Sequence, residues 1–263
     1  MTAQQKQKAG IAVASLVLGI LGLVLIGPLG SIPAVICGHM ALSRIKKNPE
    51  ALNGDGLALA GLILGYVQIG LMIMILPLMA AILIPAVNKA VTSAGMVATV
   101  ANGANIYKSV FANQMDAAVL GEESRGWPKK GEYRTSTDYF IHLVESKAMS
   151  VSYDFFAAPG IPAAKSTDAR DFKAENNAWR LVLGLEDAPE GTPFLFTRNY
   201  DPGTLPSGDG PIILNDEPPF GKKGVVVVLK GGSAYSLKGN MLRSTIFNPA
   251  GDASGAEMEI VGP

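Results

Sequence analysis

Side chains that could do chemistry are few and scattered in this chain of 263 residues. Two histidines and one cysteine are too few and too widely spaced to form a zinc site. No Gly-x-Ser-x-Gly elbow occurs, and no phosphate-binding glycine loop ends in Lys-Ser or Lys-Thr. The stretch Gly221-Lys222-Lys223-Gly224 lacks the upstream glycine and the hydroxyl residue, which favours a solvated turn. The sequence therefore predicts no catalytic, cofactor-binding or metal-binding residue.

Carboxylates cluster in two predicted loops of the C-terminal part. Oxygen ligands of this kind suit calcium, but their spacing matches no calcium motif, so solvated loops are the favoured interpretation. A catalytic site would require Asp138, His142 and a hydroxyl residue to converge, and the prediction is that the protein is not an enzyme. The loop carboxylates are Glu186, Asp187, Glu190, Asp201, Asp209, Asp216 and Glu217.

Charge is distributed unevenly along the chain. Five of the 22 basic and two of the 22 acidic residues precede residue 89, so the remainder carries a small excess of acid. A nearly neutral domain has no electrostatic footprint for nucleic acid. The single cysteine, Cys37, lies in an apolar run and excludes an intramolecular disulfide.

One uncharged stretch, Gly56 to Asn88, organises the whole chain. A membrane span needs about 20 mostly apolar residues, so this stretch is long enough to cross a bilayer. We expect a polar segment at 1–10, a membrane domain at 11–87 and an exported domain at 88–263. The helix expected in this stretch covers about 56–87.

A second uncharged stretch, Ile11 to Ser43, is too long for the apolar region of a cleaved signal peptide. A Gly27-Pro28 pair interrupts it, and proline and glycine punctuate helices. The pattern predicts two short helices at about 11–26 and 32–45, with one long kinked helix as the alternative. The sequence is therefore compatible with either two or three membrane spans.

The basic connection after these helices predicts the orientation. Arg44, Lys46 and Lys47 follow the second helix, and short basic loops stay on the cytoplasmic side of a membrane. With either number of spans, the last one leaves the cytoplasm. We therefore expect a multi-pass membrane protein whose C-terminal domain lies outside the cytoplasm.

Small residues recur four apart in each expected span, at Ser15/Gly19, Ala34/Gly38 and Gly61/Gly65. Such pairs let helix backbones approach closely in lipid. Packing within one chain is the favoured interpretation, and association between copies is the alternative. His39 has no carboxylate beside it in its span, which favours a hydrogen-bonded structural histidine over a proton or metal site.

Three blocks carry a resemblance to a known domain: IAVASLVLGILGL, GHMALSRIKK and GDGLALAGLILGY. Together they resemble a small bacterial membrane domain of unknown function, over about residues 9 to 70. The resemblance implies residence in a bacterial inner membrane, which would place the exported C-terminal domain in the periplasm, and it supplies no activity.

The C-terminal part reads as a helix followed by strands. Apolar residues at helical spacing predict that the last span continues as a helix from Asn88 to Ala118. Another helix is predicted from Thr137 to Lys147, with Ser136 or Thr137 as its N-cap. A short helix is expected around Ala169 to Asn176, and the residues from Asn248 are expected to form a loose tail. The stripe expected to face a sheet is Val87, Val91, Ala94, Ala98, Ala101, Ile106 and Val110; the expected strands are Trp179–Leu185, Thr192–Thr197 and a hairpin of Val225–Lys230 with Ala234–Leu237.

The run Ala81 to Val87, AILIPAV, is similar to the helical stems of type IV pilin-like proteins. The Trp127-Pro128 and Ser136–Phe140 blocks and the valine-rich hairpin also resemble pseudopilin-like proteins of type II secretion, over about residues 70 to 250. The chain departs from prepilins, since Leu71 to Ile75 follow Gly70 with neither Phe nor Glu. The resemblance implies an α+β fold: transmembrane helices followed by a long helix packed on an antiparallel sheet.

Two functions are compatible with these patterns. The first is a membrane-anchored pilin-like interaction protein, whose partners are the bilayer, other membrane or pilin-like proteins, and second copies of itself. The alternative is a membrane-tethered ligand-binding module without catalysis, for which a deep pocket lined by Trp179, Tyr153 or Phe194 is expected. An exposed apolar patch on the sheet would favour the first.

Overall fold

The structure is a computed structural model that describes residues 7–22, 28–120, 127–206, 208–247 and 258–263. The chain divides into two compact units, an N-terminal unit of Met1–Val87 and a C-terminal unit of Asn88–Pro263.

The N-terminal unit is helical. Strand β1 (Gln7–Lys8) leads to helix α1 (Gly10–Leu21), and helix α2 (Pro28–Lys47) is followed by strand β2 (Leu52–Asn53), which pairs with β1 in parallel. The end predicted for the first helix, at residue 26, lies outside the described residues. The start predicted for the second, at residue 32, is wrong.

The described part of helix α2 begins at Pro28, whose fixed φ and missing backbone N–H are compatible with the first helical position. Pro33 lies inside the helix, where its ring removes one backbone hydrogen bond without ending the helix. The polar segment predicted at 1–10 includes the short strand β1.

Helix α3 (Asp55–Leu120) is 66 residues long and contains Pro77 and Pro85. It contributes to both units and confirms the prediction that the apolar span continues as a helix through Ala118. Among the described residues it is the one helix long and apolar enough to span a membrane, and little of its most apolar stretch is buried.

Small side chains fill the interior of the N-terminal unit. Ser15 is buried, and its hydroxyl donates to the Ala34 carbonyl oxygen over 2.8 Å. A Cβ atom added at Gly38 would lie 3.0 Å from the Leu62 Cβ, and one added at Gly19 would lie 3.3 Å from the Leu64 Cβ. The predicted packing of small residues within one chain is confirmed.

The outer surface of the same unit is apolar. Bulky aliphatic side chains on all three helices are exposed, whereas serine, glycine and alanine lie inside. This inside-out distribution is typical of helices in lipid, where close packing replaces the hydrophobic effect as the reason for association. Exposed examples are Val17, Ile20, Ile32, Ile36, Leu59 and Ile63.

The C-terminal unit contains a five-stranded antiparallel sheet. Its strands are β3 (Trp179–Leu183), β4 (Pro193–Thr197), β5 (Val225–Leu229), β6 (Ala234–Leu237) and β7 (Glu259–Val261), in the order β6-β5-β4-β3-β7. The predicted hairpin of β5 and β6 is confirmed, with Val226 opposite Ser236. The predicted loose tail is wrong at its end, because Val261 of β7 pairs with Leu181 of β3.

One face of α3 packs on this sheet, but it is not the predicted face. Ile106 and Val110 are buried as expected, whereas the predicted residues Val87, Val91, Ala94, Ala98 and Ala101 are exposed. The buried stripe includes Met96, Thr99, Gly103 and Ala117. The predicted stripe and the buried stripe both have helical spacing. The buried stripe covers the sheet because its large side chains and its one glycine fit the sheet surface.

Helix α4 (Ser136–Glu145) begins one residue earlier than predicted. Its N-cap is Thr135, whose hydroxyl accepts the Asp138 N–H over 3.0 Å, so neither Ser136 nor Thr137 is the cap. Both of those residues are buried. Their hydroxyls accept the Asn177 amide, and Ser136 donates to the Trp179 carbonyl oxygen over 2.7 Å. The helix expected near residues 169–176 consists of two 3-10 turns, Ala169–Asp171 and Ala174–Asn176.

Aromatic rings form much of the core of the C-terminal unit. Phe140 and Phe156 stack at 4.4 Å between ring centroids, and Tyr153 stacks on Phe172 at 5.0 Å. Tyrosine hydroxyls lie in this core as well. Burial raises the pKa of Tyr200 to about 12, and burial raises the pKa of Tyr139 further, with Tyr133 and Glu132 adding to the effect.

We expect the C-terminal unit to lose stability as the pH rises above about 10, the ordinary tyrosine pKa. Between pH 10 and 12 the unfolded chain releases tyrosine protons that the folded chain retains, so the stabilisation present below pH 10 is lost. Urea unfolding in detergent between pH 8 and 11 measures this through tryptophan fluorescence, since both tryptophans lie in this unit. A Tyr139→Phe/Tyr200→Phe variant should show a shallower loss, and an unchanged slope would contradict the expectation.

Candidate functional site

His39 and Tyr66 form a polar pair in the N-terminal unit. The His39 Nε2 and the Tyr66 hydroxyl are 3.0 Å apart, and the two rings meet edge to face. The pair links α2 to α3, as expected for a hydrogen-bonded structural histidine. No group of three or more His, Cys, Asp or Glu side chains within the described ranges could hold a metal ion.

Gln68 makes a second polar contact between helices. It is buried, and its amide Nε2 donates to the Gly19 carbonyl oxygen over 2.5 Å. The sequence interpretation did not single out this residue, although a glutamine in an uncharged span is a recognisable signal of interhelical hydrogen bonding.

Asp138 and His142 lie one turn apart on α4. Within the described part of the chain, neither a hydrogen bond nor an ion pair joins their side chains. The His142 ring is tilted against Tyr133 at 5.8 Å between centroids.

Several of the loop carboxylates are used in ion pairs. Asp201 contacts Arg180 at 2.7 Å, and Asp209 contacts Arg243 at 2.5 Å. Hydrogen bonds from Arg243 lower the pKa of Asp209. This pairing gives those two carboxylates a structural role.

Glu186, Asp187 and Glu190 lie near Lys230 at the β3–β4 connection. The Lys230 Nζ donates to the carbonyl oxygens of Glu186 and Ala188 over 2.8 and 2.7 Å. Burial lowers the pKa of Lys230, and the three carboxylates oppose that shift. Here the lysine ties the hairpin to the preceding loop.

Trp179, Tyr153 and Phe194, the residues predicted to line a deep pocket in a ligand-binding module, are buried in the core of the C-terminal unit. Two open clefts lie elsewhere on the C-terminal unit. One of about 290 Å³ is bordered by Val91, Thr92 and the loop Asp216–Gly221, and one of about 480 Å³ by Lys147, Ser150 and Thr167.

Asn199 holds the loop that borders the smaller cleft. Its side chain is fully buried, and its Nδ2 donates to the carbonyl oxygens of Gly221 and Gly224, each over 2.8 Å. These two bonds tie residues 221–224 to the end of β4.

Replacing Asn199 with aspartate should destabilise the C-terminal unit by about 3 kcal/mol, because a buried carboxylate would face two carbonyl oxygens without a donor. The difference from the wild type should narrow as the pH falls and the carboxyl becomes protonated. Urea unfolding at pH 5 and 8 measures both effects. Asn215→Asp changes the same atoms at an exposed position nearby and should leave the unfolding midpoint unchanged, and equal midpoints for all three proteins would contradict the expectation.

The exposed stripe of α3 comprises Val87, Val91, Ala94, Ala98 and Ala101. Its spacing of four and three residues is that of a helix seam, which makes the stripe the clearest apolar candidate for contact with another helix. No comparable exposed patch of large apolar residues lies on the described strands of the sheet.

These features define a protein with an α-helical unit whose outer surface is apolar and an α+β unit built on an antiparallel sheet. Residues 11–75 match the model of a family described as a domain of unknown function, DUF4190. This match supports the resemblance of the N-terminal part and leaves the pilin-like resemblance of the C-terminal part without a family match. No curated protein matches the chain. No solved structure matches it either.

Proposed function

We propose that this chain is a membrane-anchored, pilin-like interaction protein linked to secretion or surface assembly. In this proposal the N-terminal unit crosses a bacterial inner membrane more than once. The C-terminal unit lies outside the cytoplasm and makes contacts with other membrane or pilin-like proteins, including second copies of this chain.

The observation that supports the proposal most strongly is that α3 is an exposed apolar helix in one part and packs on a sheet in another. Between Leu71 and Val87 its bulky apolar side chains are exposed, as lipid-facing residues are. From Met96 to Val110 the same helix covers an antiparallel sheet. A helix that serves as both anchor and core is the architecture of pilin-like proteins.

The anchor is proposed to remain uncleaved. None of the five residues that follow Gly70, Leu71 to Ile75, is acidic. No carboxylate is therefore available there to neutralise the new N-terminus of a neighbouring subunit. The exposed stripe of α3, from Val87 to Ala101, then provides the contact surface for a neighbouring helix.

Labelling of single cysteines tests the topology. In a Cys37→Ser background, Ser233→Cys in the C-terminal unit, an exposed position, should react with an impermeant maleimide from outside the inner membrane. Asn48→Cys, between α2 and β2, should react after the membrane is permeabilised. The reverse pattern would overturn the proposed orientation. A new N-terminus at Leu71 would overturn the retained anchor.

Cross-linking tests the contact surface. In the same background, Ala98→Cys on the exposed stripe should form disulfide-linked products in native membranes, because a neighbouring helix would bring a thiol within reach. Ala163→Cys, exposed away from α3, is the matched control. Equal cross-linking at the two positions would argue against the stripe as an interface.

A further inference from the structure

The C-terminal unit has two chemically different ends. Strand β5 runs alongside α3 in the same direction, since added Cβ atoms at Gly224, Gly103 and Gly232 would contact Met96, Val228 and Tyr107, respectively. The proximal end comprises the start of α3 in this unit and the loops against it, residues 88–96, 216–224 and 238–243. The distal end comprises the loops at 184–192 and 230–233.

Four lysines lie at the proximal end. Lys89 is exposed on α3, and Lys222 and Lys223 are exposed in the loop that Asn199 holds. The Lys238 Nζ donates to the Ser93 hydroxyl over 2.9 Å, which fixes its position beside the helix. These cations come from three separate chain segments and meet at one end of the fold.

The acidic residues at this end do not cancel the lysines. Asp201 and Asp209 are already paired with Arg180 and Arg243. Asp216 and Glu217 remain, and Arg198 lies close enough to Glu217 to interact with it electrostatically. The proximal end is therefore net positive, whereas Glu186, Asp187 and Glu190 make the β3–β4 loop of the distal end acidic.

Two large apolar side chains accompany the lysines. Ile213 is 83% exposed and Met241 is 57% exposed. Both belong to segments joined by the backbone hydrogen bond from Ile212 to Leu242. A surface that combines lysines with exposed aliphatic side chains has the chemistry of a membrane interface.

The proximal end also contains the first residues of the C-terminal unit. Ser93, the partner of Lys238, follows Val87 of the apolar stretch by only six positions in the sequence. We propose that the proximal end of the C-terminal unit binds anionic phospholipid headgroups of the bilayer that α3 spans. This inference rests on the proposed membrane anchoring.

The test uses the full-length protein in nanodiscs of neutral phosphatidylcholine, with or without 30% phosphatidylglycerol. Met241→Cys in a Cys37→Ser background carries a fluorophore, and a quencher on the lipid headgroups reports contact. We expect stronger quenching with phosphatidylglycerol and its loss in high salt, which screens charges on exposed surfaces.

Lys222→Gln/Lys223→Gln should lower the ratio of bound to unbound orientations about 25-fold, since each lysine near an anionic surface contributes about fivefold. Lys129→Gln/Lys130→Gln removes the same charge near the distal end and should have no effect. Equal quenching in neutral and anionic discs, or equal effects of the two double variants, would overturn the inference.

Carbonate extraction of native membranes that contain the same protein separates the two proposals. A protein that stays in the bilayer without lipid-dependent quenching would overturn headgroup binding and leave the anchoring intact. A protein that carbonate removes from the bilayer would overturn both.

Discussion

Replacing Gly103 with leucine is expected to destabilise the C-terminal unit by about 3 kcal/mol or more. A Cβ atom at this position would lie 2.6 Å from the Val228 Cγ2 and 2.8 Å from the Trp179 ring. Both neighbours are fully buried, so they have no free space into which to move. Leucine favours a helix by about 1 kcal/mol over glycine, and the overpacking of a rigid core outweighs that gain.

Tryptophan fluorescence during urea unfolding in detergent measures this effect, because both tryptophans belong to the C-terminal unit. Ala98→Leu is the matched control, since it adds a leucine five residues earlier on the exposed stripe of the same helix. If the two variants unfold at the same urea concentration, the close contact between α3 and the sheet at Gly103 is refuted.

This contact also explains why the sequence predicts the helix but not its buried face. Two stripes of α3 have helical spacing. The alanines at 94, 98 and 101 in one stripe indicate close packing just as strongly as Gly103 does in the other. The choice between them depends on the shape of the sheet, which brings the Trp179 ring and Val228 to one point. Since those residues are far away in sequence, the periodicity of the helix alone cannot identify its buried face.

The strands of the sheet are likewise predictable only where their sequence signals are local. Strands β3, β4, β5 and β6 have apolar residues and turn signals that can be recognised locally. Strand β7 has three residues near the end of a glycine-rich segment and forms because Ile260 pairs with Val182 across the sheet. Its existence depends on a partner more than 70 residues earlier in the chain, and no local pattern specifies that partner.

The candidate binding surfaces are predictable to different degrees. The apolar exterior and closely packed interior of the N-terminal unit can be predicted from long uncharged stretches and from small residues four apart, and both signals are local. The proximal lysines cannot be recognised as a group, because Lys89, Lys222 and Lys238 become neighbours through the packing of β5 and β6 beside α3. The sequence around each single lysine predicts only an ordinary solvated residue.

Gly61→Leu should disrupt the packing of α3 on α1 in the N-terminal unit. An added Cβ atom would lie 2.6 Å from the carbonyl carbon of Ser15 and 2.7 Å from the backbone nitrogen of Leu16, and a helix backbone cannot yield as a flexible side chain can. In lipid, close packing and interhelical hydrogen bonds hold helices together, so separating the backbones removes most of the stabilisation. The buried Ser15–Ala34 hydrogen bond should be lost with it.

The reaction of Cys37 with maleimide in detergent measures the change, because this half-buried thiol lies on α2 in the same unit. We expect it to react at least tenfold faster in Gly61→Leu than in the wild type. Gly70→Leu is the matched control, since Gly70 lies on the same helix with open space around it and should leave the rate unchanged. Both substitutions add the same apolar side chain to one helix, so a difference between their reaction rates reports the loss of backbone contact and not a change in hydrophobicity. Equal rates would refute close packing at Gly61.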